Sequence, residues 1–267
     1  MKFNDEKIIL ELLNIAIDSG TEILKIYENE IIVNSKEDKS PITQADIKSN
    51  NLIVNRLKKF DPNIPILSEE SLVEWENRKN WDKYWLIDPL DGTKEFINKN
   101  GEFTVNISLI KNNYPMFGII YAPVKSLLYY GLKNYGSYKL KTNSNLISLS
   151  DFNKLNINNE KKSKIRIIGS RSHSNKAFQI WIENKFTSFE LITIGSSLKF
   201  CILAEGKADI YPRLGPTSEW DIAAGHIILE EAGGKLKTID NKDILYNTKE
   251  DILNPDFIAY GNLSKVD

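Results

Sequence analysis

The chain has 267 residues, of which 41% are hydrophobic and 27% are charged, so it can bury a sizeable core as one large domain or two halves. Its 35 Lys and Arg residues nearly balance its 36 Asp and Glu residues, which excludes a long-range positive field for polymeric nucleic acid and favours a small ligand. A single cysteine, Cys201, excludes an internal disulfide framework, and no apolar run approaches the roughly 18 residues of a membrane span. We therefore expect a cytoplasmic protein with a buried, inert thiol.

The N-terminal half is expected to combine two helices with an antiparallel meander. Apolar residues recur at helical spacing over 8–27 and predict a long amphipathic helix. After a charged loop, Thr43 and Asp46 have the spacing of a capping box, which predicts a second helix that ends near Lys59. Short β-rich runs separated by turn residues follow at 103–110, 116–121 and 127–130.

The C-terminal half is expected to alternate strands with helices. The Asn-, Lys- and Ser-rich stretch at about 141–163 has little periodicity, so it is the expected junction between subdomains at about 1–140 and 160–267 of a single domain. Strands are expected at 165–169, 191–194 and 209–211, and helices at about 174–185, 197–205 and 221–232. This alternation indicates an α/β arrangement.

The segment YWLIDPLDGTKEF at 84–96 carries the most informative pattern. An apolar run delivers Asp88 and Asp91 onto a turn shaped by Pro89 and Gly92, where both carboxylates can face one point and suit a hard cation. The helix expected to begin after Gly92 would offer backbone N–H groups to a phosphate. An ordinary loop has the same pattern, with Asp91 as a helix cap and Asp88 as a turn former.

Acidic residues also end or begin two other buried elements. Glu69 and Glu70 follow the apolar run at 64–68, and Glu219 and Asp221 begin an apolar helix. Buried carboxylates left together would repel one another and take up protons, whereas a shared divalent cation removes that cost. The presence of these further acidic residues favours a metal site over an ordinary loop.

The order Glu-Glu, Asp-Pro-Leu-Asp-Gly-Thr and then Trp-Asp about 130 residues later resembles the metal-dependent, lithium-sensitive phosphatase superfamily that includes inositol monophosphatases and fructose bisphosphatases. Within it, the chain is most similar to the 3'(2'),5'-bisphosphate nucleotidases. That closer resemblance rests on the blocks DGTKEF at 91–96, GEFTVN at 101–106, SRSH at 170–173, GSSLKFC at 195–201 and YPR at 211–213.

The resemblance implies a layered α-β-α-β-α sandwich of the inositol monophosphatase type, of the α+β or α/β class, with an antiparallel sheet in the N-terminal half and a mixed sheet in the C-terminal half. It implies a phosphoric monoester hydrolase that converts adenosine 3',5'-bisphosphate to AMP and phosphate, clearing a by-product of sulfate assimilation. It also allows activity on 3'-phosphoadenylyl sulfate and loose peripheral association with the cytoplasmic face of the inner membrane.

By the same resemblance, two or three Mg²⁺ ions are held by the side chains of Glu69, Asp88, Asp91 and Asp221 and by the Leu90 carbonyl. Asp46, Thr93 and Glu69 are the expected catalytic residues, with the Asp46–Thr93 pair orienting the attacking water. Asp46 can be a helix cap at the same time. The expected contacts to substrate are Gly92, Thr93, His173, Ser196, Ser197, Lys199, Arg213 and Asp221.

Several of these residues have simpler interpretations that the sequence leaves open. Gly195-Ser196-Ser197 offers N–H groups and hydroxyls to a phosphate but could be any strand-to-helix turn, and Arg213 could form a surface salt bridge. Glu70 could orient a ligand or be solvated.

Lys94 and Glu95 could be a surface ion pair, and His226 is expected to be structural. The competing functions are a sugar- or inositol-phosphate phosphatase of the same superfamily and a catalytically silent nucleotide or metal sensor.

Overall fold

The structure is a computed structural model that describes residues 5–29, 31, 33–35, 41–157, 164–171 and 176–261. Its helices are α1 (Glu6–Tyr27), α2 (Gln44–Phe60), α3 (Trp75–Arg78), α4 (Thr93–Ile97), α5 (Lys176–Lys185), α6 (Leu198–Ala204) and α7 (Glu219–Glu231). Its strands are β1 (Val33–Ser35), β2 (Pro41–Thr43), β3 (Ile66–Ser68), β4 (Lys83–Asp91), β5 (Thr104–Lys111), β6 (Tyr114–Ala122), β7 (Leu127–Leu132), β8 (Gly136–Lys141), β9 (Asn153–Leu155), β10 (Ile165–Ser170), β11 (Phe189–Ile194), β12 (Ile210–Arg213), β13 (Lys235–Thr238) and β14 (Phe257–Tyr260).

Two large sheets organise these elements. The first follows chain order from β3 to β9, and its pairs are antiparallel except for the parallel pair of β3 and β4. The second has the order β11-β10-β12-β14-β13 and is mixed, with parallel pairing around β10 and antiparallel pairing around β14. Strands β1 and β2 form a separate antiparallel pair.

The sheets and helices alternate in five layers. Helices α1 and α2 pack on one face of the first sheet, and α6 and α7 fill the space between the two sheets. The two faces of the second sheet are covered by different helices, because adjacent residues of a strand point to opposite faces. Ile168 of β10 packs with Phe200 of α6, which lies between the sheets, whereas Ile167 packs with Ile182 of α5 on the outer face. The predicted α-β-α-β-α sandwich is therefore confirmed.

Helix α7 lies unusually close to the first sheet, because β6 and β7 present glycines to it. A Cβ atom on Gly118 would lie 2.8 Å from the Cα and carbonyl oxygen of Ala224, and one on Gly131 would lie 2.9 Å from the Cα of Ile228. Real Cβ atoms essentially never come so close to backbone. These two glycines therefore set the separation between α7 and the sheet.

The expected helices and strands are found with small shifts at their ends. Thr43 and Asp46 form the predicted capping box at the start of α2. Strands β1, β2, β8, β9, β13 and β14 and the short helix α3 were not predicted, and β9 lies inside the stretch expected to be the junction. The subdomain division stays a prediction. Within the described ranges, no helix is long and apolar enough to cross a membrane.

Candidate active site

A pocket of about 200 Å³ lies where β3, β4 and β10 end and where α4, α6 and α7 begin. Nine of the predicted site residues line it: Glu69, Asp91, Gly92, Thr93, Ser196, Ser197, Lys199, Arg213 and Asp221. His173 falls outside the described residues. Leu90 lies between the two aspartates of β4, and its side chain belongs to the hydrophobic core.

Asp88 and Asp91 reach the same point because β4 contains an irregularity. Asp88 pairs with Asn106 of β5, yet Asp91 pairs with Thr104, so three steps along β4 match two steps along β5. Residues three apart on a regular strand face opposite sides, and one extra residue brings their side chains to the same side. The prediction that both carboxylates face one point is confirmed, but the expected turn at Pro89 is wrong, since β4 continues to Asp91.

Three carboxylates form a cluster at this point. Asp88, Asp91 and Asp221 each place an oxygen within 4.8 Å of the others. Asp221 lies in the first turn of α7, where its Oδ2 accepts a hydrogen bond of 2.9 Å from the Ser218 N–H. Glu69 is brought alongside by the parallel pairing of β3 and β4, and its N–H donates to the Ile87 carbonyl oxygen at 3.2 Å.

Burial and mutual repulsion raise the pKa values of the cluster. Burial, followed by the charges of Glu69 and Asp91, raises the pKa of Asp88 well above its ordinary value, and burial and Asp91 do the same for Asp221. Burial also raises the pKa of Asp91 to about 6. Asp88 is fully buried, and its Oδ2 has no hydrogen-bond partner among the described residues. A hard divalent cation fits this set of donors, because it accepts several carboxylate oxygens and removes their repulsion.

The predicted Asp46–Thr93 pair is present. Thr93 Oγ1 donates to Asp46 Oδ1 at 3.3 Å, while Asp46 Oδ2 accepts the N–H and the hydroxyl of Thr43 at 2.7 and 2.6 Å. The contact to Thr93 and the helix cap therefore coexist, as expected. Nearby, the Ser49 hydroxyl donates to the Pro89 carbonyl oxygen at 2.6 Å, which joins α2 to the irregular part of β4.

The turn at 195–197 does not offer its N–H groups as expected. The Gly195 N–H donates to Glu102 Oε2 at 2.8 Å, and the Ser197 N–H donates to Asp91 Oδ2 at 2.5 Å. The Ser197 hydroxyl donates to Asn106 Oδ1 at 2.7 Å. The expectation that these two N–H groups are available to a phosphate is therefore wrong, because carboxylates of the first half already accept from them.

Two cationic side chains face the carboxylates across the pocket. Lys199 is 8% exposed, and burial lowers its pKa while the charge of Asp91 opposes that shift. Arg213 donates from Nη2 to the Pro216 carbonyl oxygen at 2.6 Å, and its buried Nε has no partner within the described part of the chain. The charge of Arg213 also lowers the pKa of Asp221, so Arg213 belongs to the pocket and not to a remote surface salt bridge.

Of three further ionisable side chains, Glu95 lies in the pocket, whereas Glu219 and His226 are bonded elsewhere. Glu95 is 4% exposed and lines the pocket, so it is not the surface side chain that was suggested beside the exposed Lys94. Glu219 turns away from the cluster, where both of its carboxylate oxygens accept the Asn247 N–H at 2.9 Å. His226 is buried and bonded to the Tyr246 hydroxyl and to Glu230, which agrees with a structural role.

Sequence reasoning missed the roles of Glu102 and Asn106. Both lie in the block at 101–106 that carried the resemblance, and both accept hydrogen bonds from the 195–197 turn, 93 and 91 residues away. Nothing in a single sequence marks such distant partners. The predicted burial of Cys201 is confirmed, and that burial raises the pKa of its thiol.

Comparison with known proteins gives matches along nearly the whole chain. The model of the inositol monophosphatase family matches residues 4–264. The chain is 39% identical over 249 residues to the 3'(2'),5'-bisphosphate nucleotidase CysQ of Shigella flexneri, covering 92% of this chain and 97% of that protein. It is 35% identical over 261 residues to the protein of the same name from Haemophilus influenzae, covering 97% and 95%.

Solved structures agree with these sequence matches. CysQ from Bacteroides thetaiotaomicron has a TM-score of 0.86 and 38% identity, with coverage of 97% of this chain and 98% of that one. An inositol monophosphatase from Thermotoga maritima has a TM-score of 0.76 at 22% identity, covering 95% and 91%, which is a similarity of fold. The resemblance noted in the sequence is confirmed.

Proposed function

The chain belongs to the inositol monophosphatase family, and we propose that it is a Mg²⁺-dependent phosphatase that removes the 3'-phosphate of adenosine 3',5'-bisphosphate. One observation carries this proposal: two members of the carboxylate cluster, Asp91 and Asp221, line the same pocket as the cationic side chains of Lys199 and Arg213. The carboxylates fit metal ions at a reacting phosphate, and the cations fit a second phosphate. Relatives named as bisphosphate nucleotidases support the same substrate class.

Asp88, Asp91 and Asp221, together with Glu69 and the Leu90 carbonyl, are the groups proposed to hold two or three Mg²⁺ ions. When bound, Mg²⁺ supplies the neutralisation of phosphoryl charge and the lowering of the pKa of water that phosphate monoester hydrolysis needs. The orphaned Oδ2 of Asp88 and the raised pKa values of the cluster support this assignment.

The proposed role of Thr93 is to orient the attacking water. Because its hydroxyl proton is donated to Asp46, the lone pairs of Oγ1 are directed away from that carboxylate and can accept a hydrogen bond from a water molecule. Asp46 is itself held by two hydrogen bonds from Thr43, so its carboxylate is fixed in orientation and keeps the Thr93 hydroxyl proton pointing toward it. Gly92 is the N-cap residue of α4, next to Thr93 in the chain, and is proposed to contact the reacting phosphate.

The second phosphate is proposed to contact Lys199 and Arg213, with Ser196 and His173 as further substrate contacts. Ser197 is not proposed again, because its N–H and hydroxyl are already bonded to Asp91 and Asn106. Burial of Lys199 strengthens its attraction for an anion, since little water screens it. The same pocket would accept 3'-phosphoadenylyl sulfate, whose 5'-group is also anionic. The cytoplasmic location and the peripheral association with the inner membrane stay predictions.

The test is a comparison of kcat/KM for adenosine 3',5'-bisphosphate, 3'-AMP, inositol 1-phosphate and fructose 1,6-bisphosphate at saturating Mg²⁺. We expect the nucleotide bisphosphate to exceed every other substrate. Because remote binding energy helps to position the reacting group, 3'-AMP should lose kcat as well as affinity. Equal efficiency on inositol 1-phosphate would instead support the sugar- or inositol-phosphate phosphatase, and no hydrolysis of any substrate would support a sensor.

A further inference from the structure

We propose that Glu102 is a positioning residue, whose carboxylate fixes the 195–197 turn and thereby fixes the orientation of the Asp91 carboxylate. The inference rests on the proposed function only in taking Asp91 as a metal ligand. Glu102 does not line the pocket, so its effect on the site passes through the backbone of the turn.

Both oxygens of the Glu102 carboxylate are held. Oε2 accepts the Gly195 N–H at 2.8 Å and Arg171 Nε at 2.7 Å, while Oε1 accepts Arg171 Nη2 at 3.0 Å. Arg171 Nη2 also donates to the Thr193 carbonyl oxygen at 3.0 Å, so the guanidinium joins Glu102 to the end of β11. Burial alone would raise the pKa of Glu102, but the bonds from Arg171 and Gly195 hold it below its ordinary value, and the carboxylate stays charged.

The turn that Glu102 holds has a strained backbone. Ser196 has a φ of 49°, which lies in the left-handed region that residues other than glycine rarely adopt. A Cβ atom on Gly195 would lie 2.6 Å from Glu95 Cγ and 2.9 Å from the Glu102 carbonyl oxygen, so the chain is pressed closely against the first half. Such a conformation persists only where the surroundings impose it, and the bonds at its two ends do so.

The far end of the turn contacts the carboxylate cluster. The Ser197 N–H donates to Asp91 Oδ2 at 2.5 Å, and Asn106 Nδ2 donates to the same oxygen at 3.4 Å. The Ser197 hydroxyl is bonded to Asn106 Oδ1 at 2.7 Å and to Thr104 Oγ1 at 2.8 Å. Rotation of the Asp91 side chain would break both bonds to Oδ2. Release of the turn by loss of Glu102 would therefore free Asp91 to turn away from Asp88 and Asp221.

The test measures Mg²⁺ binding by calorimetry without substrate, well below the melting temperature, in Glu102→Ala and Glu102→Gln. Groups that orient metal ligands typically alter metal affinity by about 10–100-fold, so we expect Glu102→Ala to bind Mg²⁺ at least tenfold more weakly. Glu102→Gln can still accept the Gly195 N–H and should show a smaller loss. Arg171→Met, at a side chain that is 44% exposed, should shift affinity in the same direction.

Glu205→Gln is the matched control. The Glu205 side chain is 9% exposed, close to the 13% of Glu102, and accepts bonds from Tyr129, Lys139 and Lys207 outside the pocket. It should lower the melting temperature and leave Mg²⁺ affinity unchanged. Wild-type affinity in both Glu102 variants, with a lowered melting temperature, would overturn the positioning role alone. Failure of the wild-type protein to bind Mg²⁺ would overturn the proposed function together with this inference.

Discussion

The backbone N–H of Ser197 lies 2.5 Å from Oδ2 of Asp91, and this hydrogen bond joins the start of α6 to the end of β4. It connects the two halves of the chain at the carboxylate cluster. The geometry of the candidate metal site therefore depends on both sheets, although Asp88 and Asp91 belong to a single strand.

Asp91→Asn should abolish turnover with little loss of folding stability in the absence of metal. The change removes one buried charge from a repelling cluster, and the amide oxygen can still accept the Ser197 N–H if it takes the place of Oδ2. Phosphate release and thermal melting in EDTA and in Mg²⁺ would check both expectations. Near-normal activity at saturating Mg²⁺ would remove Asp91 from the metal site.

Thr93→Val should lower kcat by roughly 100-fold with little change in KM, because the hydroxyl is proposed to act on the attacking water and any contact of Thr93 to the substrate is left to its backbone. Thr93→Ser keeps the hydroxyl and is the matched control, which should retain most of the activity. Mg²⁺ affinity should be unchanged in both variants. If kcat of the valine variant stays within a factor of about two, the contact between Thr93 and Asp46 serves the helix cap alone.

The stabilisation of the protein by Mg²⁺ should increase as pH rises from about 5 to about 8, a range that contains the raised pKa of Asp91 at about 6. The pKa values of Asp88 and Asp221 are raised in the folded state, so the folded protein binds protons more tightly than the unfolded chain. Stability from these groups is fully present at low pH and is lost as pH rises through the raised values. Bound Mg²⁺ would offset this loss, because its positive charge takes the place of the protons that the carboxyls have released.

Melting temperatures measured in EDTA and in Mg²⁺ across this pH range would check the prediction. Asp88→Asn is the informative variant, because it removes the most buried charge and should flatten the pH dependence measured in EDTA. A difference between the two conditions that does not change with pH would contradict a metal site at this cluster.

Lys199→Met and Arg213→Met should each reduce the preference for adenosine 3',5'-bisphosphate over 3'-AMP by roughly tenfold or more, since a hydrogen bond to a charged group contributes about 1.5–3 kcal/mol. Methionine fills most of the space of either side chain, which limits collapse of the pocket. The ratio of kcat/KM values for the two substrates is the readout. An unchanged ratio in both variants would contradict the assignment of these residues to the second phosphate.

The elements that could be predicted from sequence are those whose signals are local. Periodic apolar residues predicted α1, and a hydroxyl followed three residues later by an acid predicted the start of α2 at Thr43. The carboxylates of Asp88 and Asp91 could be placed together because Pro89 and Gly92 indicated an irregular backbone between and after them. The way in which they meet, an extra residue in a continuing strand, needs the pairing with β5.

The features that escaped prediction depend on contacts between distant parts of the chain. Strand β14 lies between β12 and β13 in the sheet, an order that no local pattern encodes. Glu219 and Asp221 both begin α7, yet Asp221 joins the cluster while Glu219 accepts the N–H of Asn247. Their separation follows from the direction in which each leaves the helix, which the packing of α7 determines.

The glycines of the first sheet that allow α7 to pack closely, Gly118 and Gly131, should be as sensitive to mutation as residues of the active site. Alanine at Gly118 or Gly131 would place a methyl group within 3 Å of helix backbone, and relief would require α7 to move away and carry Asp221 with it. In a mutational scan scored by phosphatase activity, both positions should therefore rank with the carboxylates, although neither lines the pocket. Loss of activity at such positions would identify residues that position a helix. A map of sensitive residues would therefore include residues that support the active site as well as residues that take part in the reaction.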